Sequence, residues 1–482
     1  MRRTTRRHVL KRGAATAIFA PAIFSGRAAS TQLPALPNLP STDALLLQPG
    51  AAQFALYQPA FNTRTMLTPQ LRALCKTAQA VSVMVDWCRS NDLPFAVRCG
   101  GHSYEGLSQS ASVVIDTRQI AAITVDTATK TASVGAGAAL GQLYQAIAPR
   151  DFAFPGGSCP TVGVSGHLLG GGYGYLARPF GLACDNVLSI DLVDPGGQQI
   201  HADAQQNADL FWACRGGGGG SFGIVTGYEL RLPQLTNVFT FNIKFQNLSV
   251  QKAVAVMKEW QAWAPRAPQS IDSNLVISKH SGGGIDLRCG GQSIGTMQEL
   301  KRELAFLMAQ PPIVQRSYIN AVYYFAGSRP GPKGWDYPSC PMKGKSDYAT
   351  SPLTDAGLSA LMNEVSTRTG IYVICDAYGG AITSTAADAT AFAHRGDTLF
   401  CIQYGSTWTS PSDTPQRLDE MRQCYAAMRP YVSGAAYVNY CDLELTDYPS
   451  AYWGQNLPRL KQIKSAFDPN NIFRHAQSVP LA

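Results

Sequence analysis

The chain has 482 residues, of which 45% are hydrophobic and 15% are charged, and glycine and proline number 45 and 30. This composition supports large buried cores in two or three domains and excludes a coiled coil, a charge-rich disordered chain and a collagen. Residues 1–29 contain seven of the 40 basic residues and no acidic residue, so the remainder is nearly neutral. Nucleic-acid binding needs a basic surface, and we therefore expect no nucleic-acid partner.

The first 29 residues have the pattern of an export signal. Arg6 and Arg7 form a twin-arginine motif, an apolar run extends from Ala14 to Phe24, and small residues near Ala28 suit cleavage. The run is too short for a membrane span, which needs about 20 residues. We expect a soluble mature protein, exported by the twin-arginine route to the periplasm or the extracellular space, with no membrane partner.

The twelve cysteines and seven histidines are scattered along the chain. They form no Cys-x-x-Cys pair and no His-x-x-x-His pair, so no metal site is expected. An even cysteine count in an exported protein suggests disulfides. The wide spacing favours buried, small apolar residues for most of these cysteines instead.

Short strands alternate with helices in residues 71–235, after a polar lead-in segment over residues 30–70. The predicted helices are Ala78–Ser90 and Leu140–Ile147, and the predicted strands are Phe95–Arg98, Val113–Asp116, Ile123–Asp126, Ala132–Val134, Leu188–Pro195, Gln199–Ala202 and Val225–Leu232. This pattern predicts an α+β domain with many tight turns.

Longer strands and helices begin after Pro233. The predicted strands are Val238–Phe245, Ser273–Ile277, Gly284–Gly290, Ile371–Gly379, Leu399–Tyr404 and Ala436–Leu443, and the predicted helices are Val250–Ala264, Met297–Met308, Asp355–Thr369 and Tyr452–Phe467. Residues 325–352, rich in glycine, proline and lysine, are expected to form a long surface loop. The pattern predicts a second domain, a sheet covered by helices.

Glycine is concentrated in three stretches, within residues 98–106, 155–174 and 216–220. Such stretches allow backbone N–H groups to approach a phosphate, and their clustering predicts a dinucleotide site. A Walker motif is absent, and Gly218–Gly223 has the Gly-x-Gly-x-x-Gly spacing but leads into a strand instead of a helix. The phosphate cradle is therefore of another kind.

These motifs resemble those of the berberine bridge enzyme-like family of FAD-linked oxidases, in the vanillyl-alcohol oxidase superfamily. Residues 98–103 are similar to the family's pyrophosphate loop, residues 159–163 to its cysteine segment, and residues 452–456 and 467–473 to its closing signature. The resemblance implies a two-domain α+β fold. A PCMH-type FAD-binding domain over residues 40–235 would be completed by residues 445–482. Residues 236–444 would form the substrate domain, with an antiparallel sheet covered by helices.

The resemblance also implies that FAD is bonded covalently to two side chains, His102 and Cys159. It further implies these cofactor-binding residues: Arg98, Gly100, Gly101, Ser103, Thr161, Gly163, Gly166, Gly170, Gly171, Gly172 and Asn439. His102 has no bulky neighbours in sequence, so its ring can lie against a planar group. Cys159, before Pro160, stands in a tight turn that suits a reactive thiolate. The alternatives are a hydrogen-bonded loop histidine and an inert buried cysteine.

In this family an active-site base takes the substrate proton while FAD accepts a hydride. The resemblance implies Tyr440 as that base, assisted by a carboxylate on a neighbouring strand, with Tyr104, Tyr173 and Gln403 around it. Alternation places Gln403 and Cys401 on one strand face. Neither residue supplies a charge, so the activation of a tyrosine with an ordinary pKa of about 10 stays open.

Val162 occupies the position that controls oxygen access to the flavin in similar proteins, and its small side chain implies an oxidase. We expect oxidation of an alcohol or hemiacetal, in a sugar or a secondary metabolite, with O2 as acceptor and H2O2 as product. The alternatives are a dehydrogenase or oxidative cyclase of the same family acting on an aromatic or polycyclic metabolite, and a non-catalytic flavin- or carbohydrate-binding protein. Residues 273–350, including Tyr323, Tyr324 and Trp335, are expected to line the substrate pocket. The substrate, the disulfide pairing and the oligomeric state stay open.

Overall fold

Three β-sheets organise the chain in a computed structural model that describes residues 33–307, 314–316 and 339–482. The strands are β1 Ala44–Leu47, β2 Leu71–Cys75, β3 Phe95–Arg98, β4 Val113–Asp116, β5 Ile123–Asp126, β6 Thr131–Gly135, β7 Val187–Val193, β8 Gln199–Asp203, β9 Ile224–Arg231, β10 Val238–Leu248, β11 Ile271–Lys279, β12 Ile285–Ser293, β13 Val314–Arg316, β14 Met342–Ala349, β15 Ile371–Ala377 and β16 Phe400–Thr407. The sheets have the orders β1-β2-β4-β3, β5-β6-β9-β7-β8 and β13-β10-β12-β11-β15-β16-β14.

Helices connect and cover these sheets. They are Phe54–Tyr57, Ala78–Ser90, Leu140–Ile147, Val164–Leu169, Ala177–Phe180, Ala208–Ala213, Val250–Trp263, Met297–Leu304, Asp355–Thr367, Ala381–Ser384, Thr414–Met428, Tyr448–Trp453 and Leu457–Phe467. Thr77, Ser249, Thr296 and Thr354 begin four of them, because each side-chain oxygen accepts the N–H of the residue three positions later. Among the described residues, no helix has the length and hydropathy that a bilayer span requires.

The C-terminal segment packs into the core of the part of the chain that contains the three glycine stretches, which we call the glycine-rich half. Tyr452, Trp453 and Leu460 join the apolar cluster built on β6, β7 and β9. Lys464 Nζ lies 2.7 Å from Ser221 O and 2.6 Å from Asp468 Oδ2. The Asp468 carboxylate also accepts the N–H groups of residues 472 and 473. The closing sequence motif is therefore a buried cap that ties the end of the chain to this half.

The seven-stranded sheet is antiparallel throughout and has two unlike faces. One face is apolar and packs against helices 250–263, 355–367 and 414–428. The opposite face presents polar side chains, among them Asp272, Asp376 and Gln403. This is the α+β architecture, with a helix-covered antiparallel sheet, that the sequence predicts.

Four local predictions are wrong. Residues 342–349 of the expected surface loop form the buried edge strand β14, and the lead-in contains β1, which pairs with β2. Residues 438–440 form a 3-10 turn instead of a strand. The expected helix over residues 452–467 is interrupted at Gly454, whose φ of +45° is left-handed. The twin-arginine motif, Tyr323, Tyr324 and Trp335 lie outside the described residues.

All twelve cysteines are free thiols, and nine of them are buried. This confirms that most of the cysteines act as small apolar residues. Cys99, Cys159 and Cys340 are partly exposed.

Candidate active site

One hydroxyl group joins the two residues predicted to bond the flavin. Thr161 Oγ1 lies 3.0 Å from His102 Nε2 and 3.5 Å from Cys159 Sγ. The ring of Phe61 stacks on the imidazole, with centroids 4.5 Å apart and planes inclined by 17°. The fold therefore brings together two side chains that stand 57 positions apart in the sequence, and it fixes the histidine ring between two neighbours.

Burial sets the protonation states of this pair. Burial, assisted by the charge of Arg98, lowers the pKa of His102 to about 4, so its ring is neutral at pH 7. Burial also raises the pKa of Cys159, so its sulfur is a thiol in the protein alone. The tight turn before Pro160 therefore does not by itself produce the thiolate that the sequence suggests.

The first glycine loop offers free N–H groups. Among the hydrogen bonds of the described residues, none is donated by the N–H of Gly101, His102 or Ser103. The Arg98 guanidinium supports the loop from behind, where it donates to the carbonyls of residues 58 and 59. Ser103 Oγ accepts the N–H of Leu107. A loop with three unused N–H groups suits a phosphate.

The second glycine stretch packs against the first, and its backbone at Gly166 borders open space. The first loop touches it directly, because a Cβ added at Gly100 would lie 2.3 Å from Gly163 N. A Cβ added at Gly166 would meet nothing within 4 Å, so this backbone borders open space. Gly171 packs against the ring of Phe392.

Side chains from residues 437–439 fix this second stretch. The Tyr437 hydroxyl accepts the N–H groups of Gly172 and Tyr173 at 3.0 and 3.3 Å, and Asn439 Nδ2 donates to His167 O at 3.0 Å. Asn439 also contacts Gly170. His167, which the sequence analysis did not single out, accepts the N–H of residue 157 at 3.0 Å. Tyr437 therefore supports the backbone of the second glycine stretch.

Two tyrosines predicted to be catalytic lie face to face. The rings of Tyr104 and Tyr440 stack with centroids 5.4 Å apart and planes inclined by 6°. Gln403 Nε2 donates to the Tyr104 hydroxyl at 2.6 Å. Only a glycine fits beneath the Tyr104 ring, because a Cβ at Gly344 would lie 2.6 Å from it. Tyr437 meets Tyr440 edge-on at 4.8 Å.

Tyr173 belongs to a second tyrosine–carboxylate pair. Its hydroxyl donates to Asp272 Oδ1 at 3.0 Å, and its ring stacks on Tyr378 at 5.6 Å. Burial raises the pKa of Asp272 to about 8, although the charge of Arg178 opposes this shift. A buried carboxyl on the polar sheet face thus holds Tyr173.

Asp376 is the carboxylate that sequence reasoning missed. The sequence pattern pointed to the strand of Cys401 and Gln403, whereas Asp376 lies on β15, which pairs with β16 so that Asp376 is directly opposite Cys401. Burial raises the pKa of Asp376 to about 7, and its charge helps burial to raise the pKa of Tyr440 well above the ordinary value. Alternation along β15, with Val373 and Cys375 facing the apolar core, was the available signal.

The predicted alternation of β16 is confirmed. Cys401 is buried among Tyr348, Tyr378 and Tyr437 on the site side, whereas Ile402 lies in the helix-covered core.

Comparisons with known proteins agree with this geometry. Residues 69–203 match the family model described as "FAD binding domain", and residues 436–480 match the model "Berberine and berberine like". Berberine bridge enzyme-like 4 from Arabidopsis thaliana is 32% identical, and the alignment covers 92% of this chain and 92% of that protein. The chain belongs to the berberine bridge enzyme-like family. It is accordingly an FAD-dependent oxidoreductase.

Solved structures of berberine bridge enzyme-like proteins have the same fold. Physcomitrella patens BBE-like 1 superimposes with a TM-score of 0.85 at 30% identity, over 92% of this chain and 98% of that chain. A variant of Phl p 4 described as a glucose oxidase superimposes with a TM-score of 0.83 at 31% identity, over 91% of this chain and 97% of that chain.

The residues present in this berberine bridge enzyme-like chain fit FAD. The loop of Gly101 offers N–H groups to a pyrophosphate, and Gly166 borders open space. His102 and Cys159, joined through Thr161, would hold the flavin ring. Val162, which is predicted to control oxygen access, is partly buried against the apolar cluster built on β6, β7 and β9.

Proposed function

We propose that this protein is an exported flavoprotein oxidase that carries FAD bonded to both His102 and Cys159. It oxidises the hydroxyl of an alcohol or a hemiacetal and passes the electrons to O2, which becomes H2O2. The supporting observation is that the His102–Thr161–Cys159 cluster and the stacked Tyr104–Tyr440 pair occur together, two residues apart at their closest. This arrangement supports the proposal, because the proposed proton acceptor would then act close to the residues that would hold the hydride acceptor.

The bound FAD supplies the hydride acceptor, and the side chains of this chain handle the proton. Tyr440 is neutral at pH 7, because burial and the charge of Asp376 raise its pKa. A neutral tyrosine accepts the substrate proton only if it donates its own hydroxyl proton to another group in the same step. Asp376, with a pKa of about 7, would receive that proton by way of water, because no hydrogen bond of the described residues joins it to Tyr440. The Tyr104 oxygen accepts from Gln403, so the Tyr104 proton remains available to the substrate oxygen.

Acid denaturation tests the covalent attachment. We expect yellow colour to stay with the denatured polypeptide in the wild type, in His102→Ala and in Cys159→Ala, and to be released only from the double variant. Release from the wild type would contradict both bonds.

Stopped-flow reoxidation tests the oxygen acceptor. Val162→Leu adds bulk at the oxygen-access position, so we expect slower reoxidation by O2 and an unchanged rate of flavin reduction by substrate. Val162→Ala is the matched control and should reoxidise at least as fast as the wild type. Equal reoxidation rates in all three proteins would remove Val162 from this role.

A substrate panel tests the reaction class. D-glucose, cellobiose and coniferyl alcohol cover sugar hemiacetals and an aromatic alcohol, with H2O2 release and product mass as readouts. The tyrosines Tyr104, Tyr173 and Tyr440 also favour a second candidate, a dehydrogenase or oxidative cyclase acting on an aromatic metabolite. That candidate predicts turnover with an artificial electron acceptor and little H2O2.

The twin-arginine motif supports the proposed export. Replacing Arg6 and Arg7 by lysine should retain the protein in the cytoplasmic fraction. The wild type should be exported from that fraction and should have a new N-terminus near Ala28. Equal fractionation of both proteins would contradict export by this route.

A further inference from the structure

Four buried side chains of alternating charge form a chain beside the stacked tyrosines. Lys343 Nζ contacts Glu105 Oε1 and lies 2.6 Å from Asp442 Oδ1, and Lys345 Nζ lies 2.6 Å from Asp442 Oδ2. None of the four side chains is more than 5% exposed. We refer to Glu105, Lys343, Asp442 and Lys345 together as the ion chain.

Each member of the ion chain is attached to a segment that carries or supports a catalytic tyrosine. Glu105 follows Tyr104 directly, and Asp442 stands two positions after Tyr440. Lys343 and Lys345 flank Gly344, the residue that makes room for the Tyr104 ring. The ion chain therefore joins the two tyrosine-bearing segments to the edge strand that supports one of them.

Little else in the described residues fixes Tyr440. Its hydroxyl takes part in none of their hydrogen bonds, and its ring is held by stacking on Tyr104 and by the edge of Tyr437. Its position follows the backbone of residues 437–442. The N–H of Asp442 donates to the Tyr452 hydroxyl at 3.0 Å, so Asp442 is the fixed end of that backbone.

Stability alone does not explain the ion chain. Removing charges from water costs free energy, and well-packed apolar residues of similar volume often stabilise a protein as well or better. The charges are balanced and their contacts are close, which fixes the separation of the segments that carry them. Catalysis is sensitive to such separations, because a misplacement of about 1 Å can lower a rate about a hundredfold.

We propose that the ion chain is a positioning network that sets the relative placement of Tyr104 and Tyr440. It holds the Tyr440 hydroxyl where that hydroxyl takes the substrate proton, so this inference rests on the proposed function of Tyr440 as the base. The members of the ion chain act through the two tyrosines.

The test compares Glu105→Gln/Lys343→Met with a matched control in the FAD-loaded protein. The control, Glu364→Gln/Arg368→Met, removes a partly buried ion pair at the end of helix 355–367, which packs on the apolar face of the seven-stranded sheet. We expect hydrogen–deuterium exchange of residues 437–442 to rise about tenfold in the first variant and to stay unchanged in the control. With the best substrate among glucose, cellobiose and coniferyl alcohol, kcat should fall at least about tenfold with KM within threefold.

A second variant covers the case in which the first fails to fold. Glu105→Asp keeps the charge and shortens the side chain by one methylene, so exchange of residues 437–442 should rise and kcat should fall by a smaller factor. Wild-type exchange and kcat in a folded variant would overturn the positioning role. Full activity of Tyr440→Phe would instead overturn the proposed function, while the exchange result would still show whether the ion chain fixes this segment.

Discussion

The two faces of the seven-stranded sheet carry different kinds of side chain, apolar on one and polar on the other. On β11, β15 and β16, Leu275, Val373 and Ile402 are fully buried against helices. Asp376 and Gln403, on two of the same strands, lie on the opposite, polar face, where Gln403 donates to the Tyr104 hydroxyl. We call the apolar, helix-covered face the stabilising face and the polar face the chemical face. Because side chains alternate along a strand, consecutive residues belong to different faces.

The magnitudes explain why both faces are needed. The rise in the pKa of Asp376 from 3.8 to about 7 means that keeping this carboxylate ionised costs roughly 4 kcal/mol relative to water. Burying one large apolar side chain on the other face contributes about 1.5–3 kcal/mol. The apolar face therefore contributes free energy of the same order as the cost of one ionised carboxylate on the polar face.

Tyr440→Phe should give the largest effect. Removing the proposed base, which packs against the cluster that contains Cys401 of β16, should lower kcat by about 10²–10⁴-fold with unchanged FAD content, as measured by flavin reduction under single-turnover conditions. Tyr404→Phe removes a hydroxyl from the opposite face of β16 and serves as the control, with wild-type turnover expected. Similar kcat values in both variants would show that the Tyr440 hydroxyl matters no more for turnover than a hydroxyl on the stabilising face.

Ile402→Ala tests the stabilising face. Loss of this fully buried side chain should lower the free energy of unfolding by about 2–5 kcal/mol, as measured by denaturant titration, because it leaves a cavity. The milder Ile402→Val should lower it by about 0.5–1.5 kcal/mol. The folded enzyme should keep its kcat. A fall in kcat larger than the loss of folded protein would contradict the separate roles of the two sheet faces.

Asp376→Asn tests the pH dependence. Asp376 holds a proton below its pKa of about 7 and can accept one only above it, so wild-type kcat/KM should rise as the pH increases through about 7. The variant should lose about tenfold at pH 8 and show no such rise. Asp286→Asn replaces a more exposed carboxylate on β12 and should keep the wild-type pH profile. If kcat/KM of Asp376→Asn still rises through pH 7, another group causes the rise.

Cys401→Ala should have the smallest effect. It removes one buried sulfur from the site side of β16, so the free energy of unfolding should fall by only about 1 kcal/mol. The kcat should stay within about threefold, because the thiol, with its pKa raised far above 9 by burial, stays neutral. A larger loss of activity would give Cys401 a direct role that its burial does not suggest.

Local patterns predicted the elements whose residues match their surroundings. Strands β3 and β4 and the helix over residues 78–90 agree with the sequence in full, because their apolar periodicity is uninterrupted. Strand β14 was missed because its lysines look exposed. Their neutralising partners, Glu105 and Asp442, are 238 and 99 positions away from Lys343.

The site was predictable as a set of residues but not as a geometry. The family motifs identified His102 and Cys159, and the structure shows the shared contact with Thr161. Asp376 could be placed beside Cys401 only once the register of β15 and β16 was known. Residues 436–443 looked like a strand, but the Tyr437 hydroxyl bonds to the glycine stretch and the backbone turns there.

The attachment of the C-terminal segment to Ser221 has a consequence for biosynthesis. Ser221 is synthesised 243 residues before its partner Lys464, and at 5–20 residues per second that interval is roughly 12–50 seconds. During this time the nascent chain already contains all three glycine stretches but not the segment that closes the half around them. That half therefore stays without its closing segment for this interval, and a chain that terminates before Lys464 never gains the contact with Ser221.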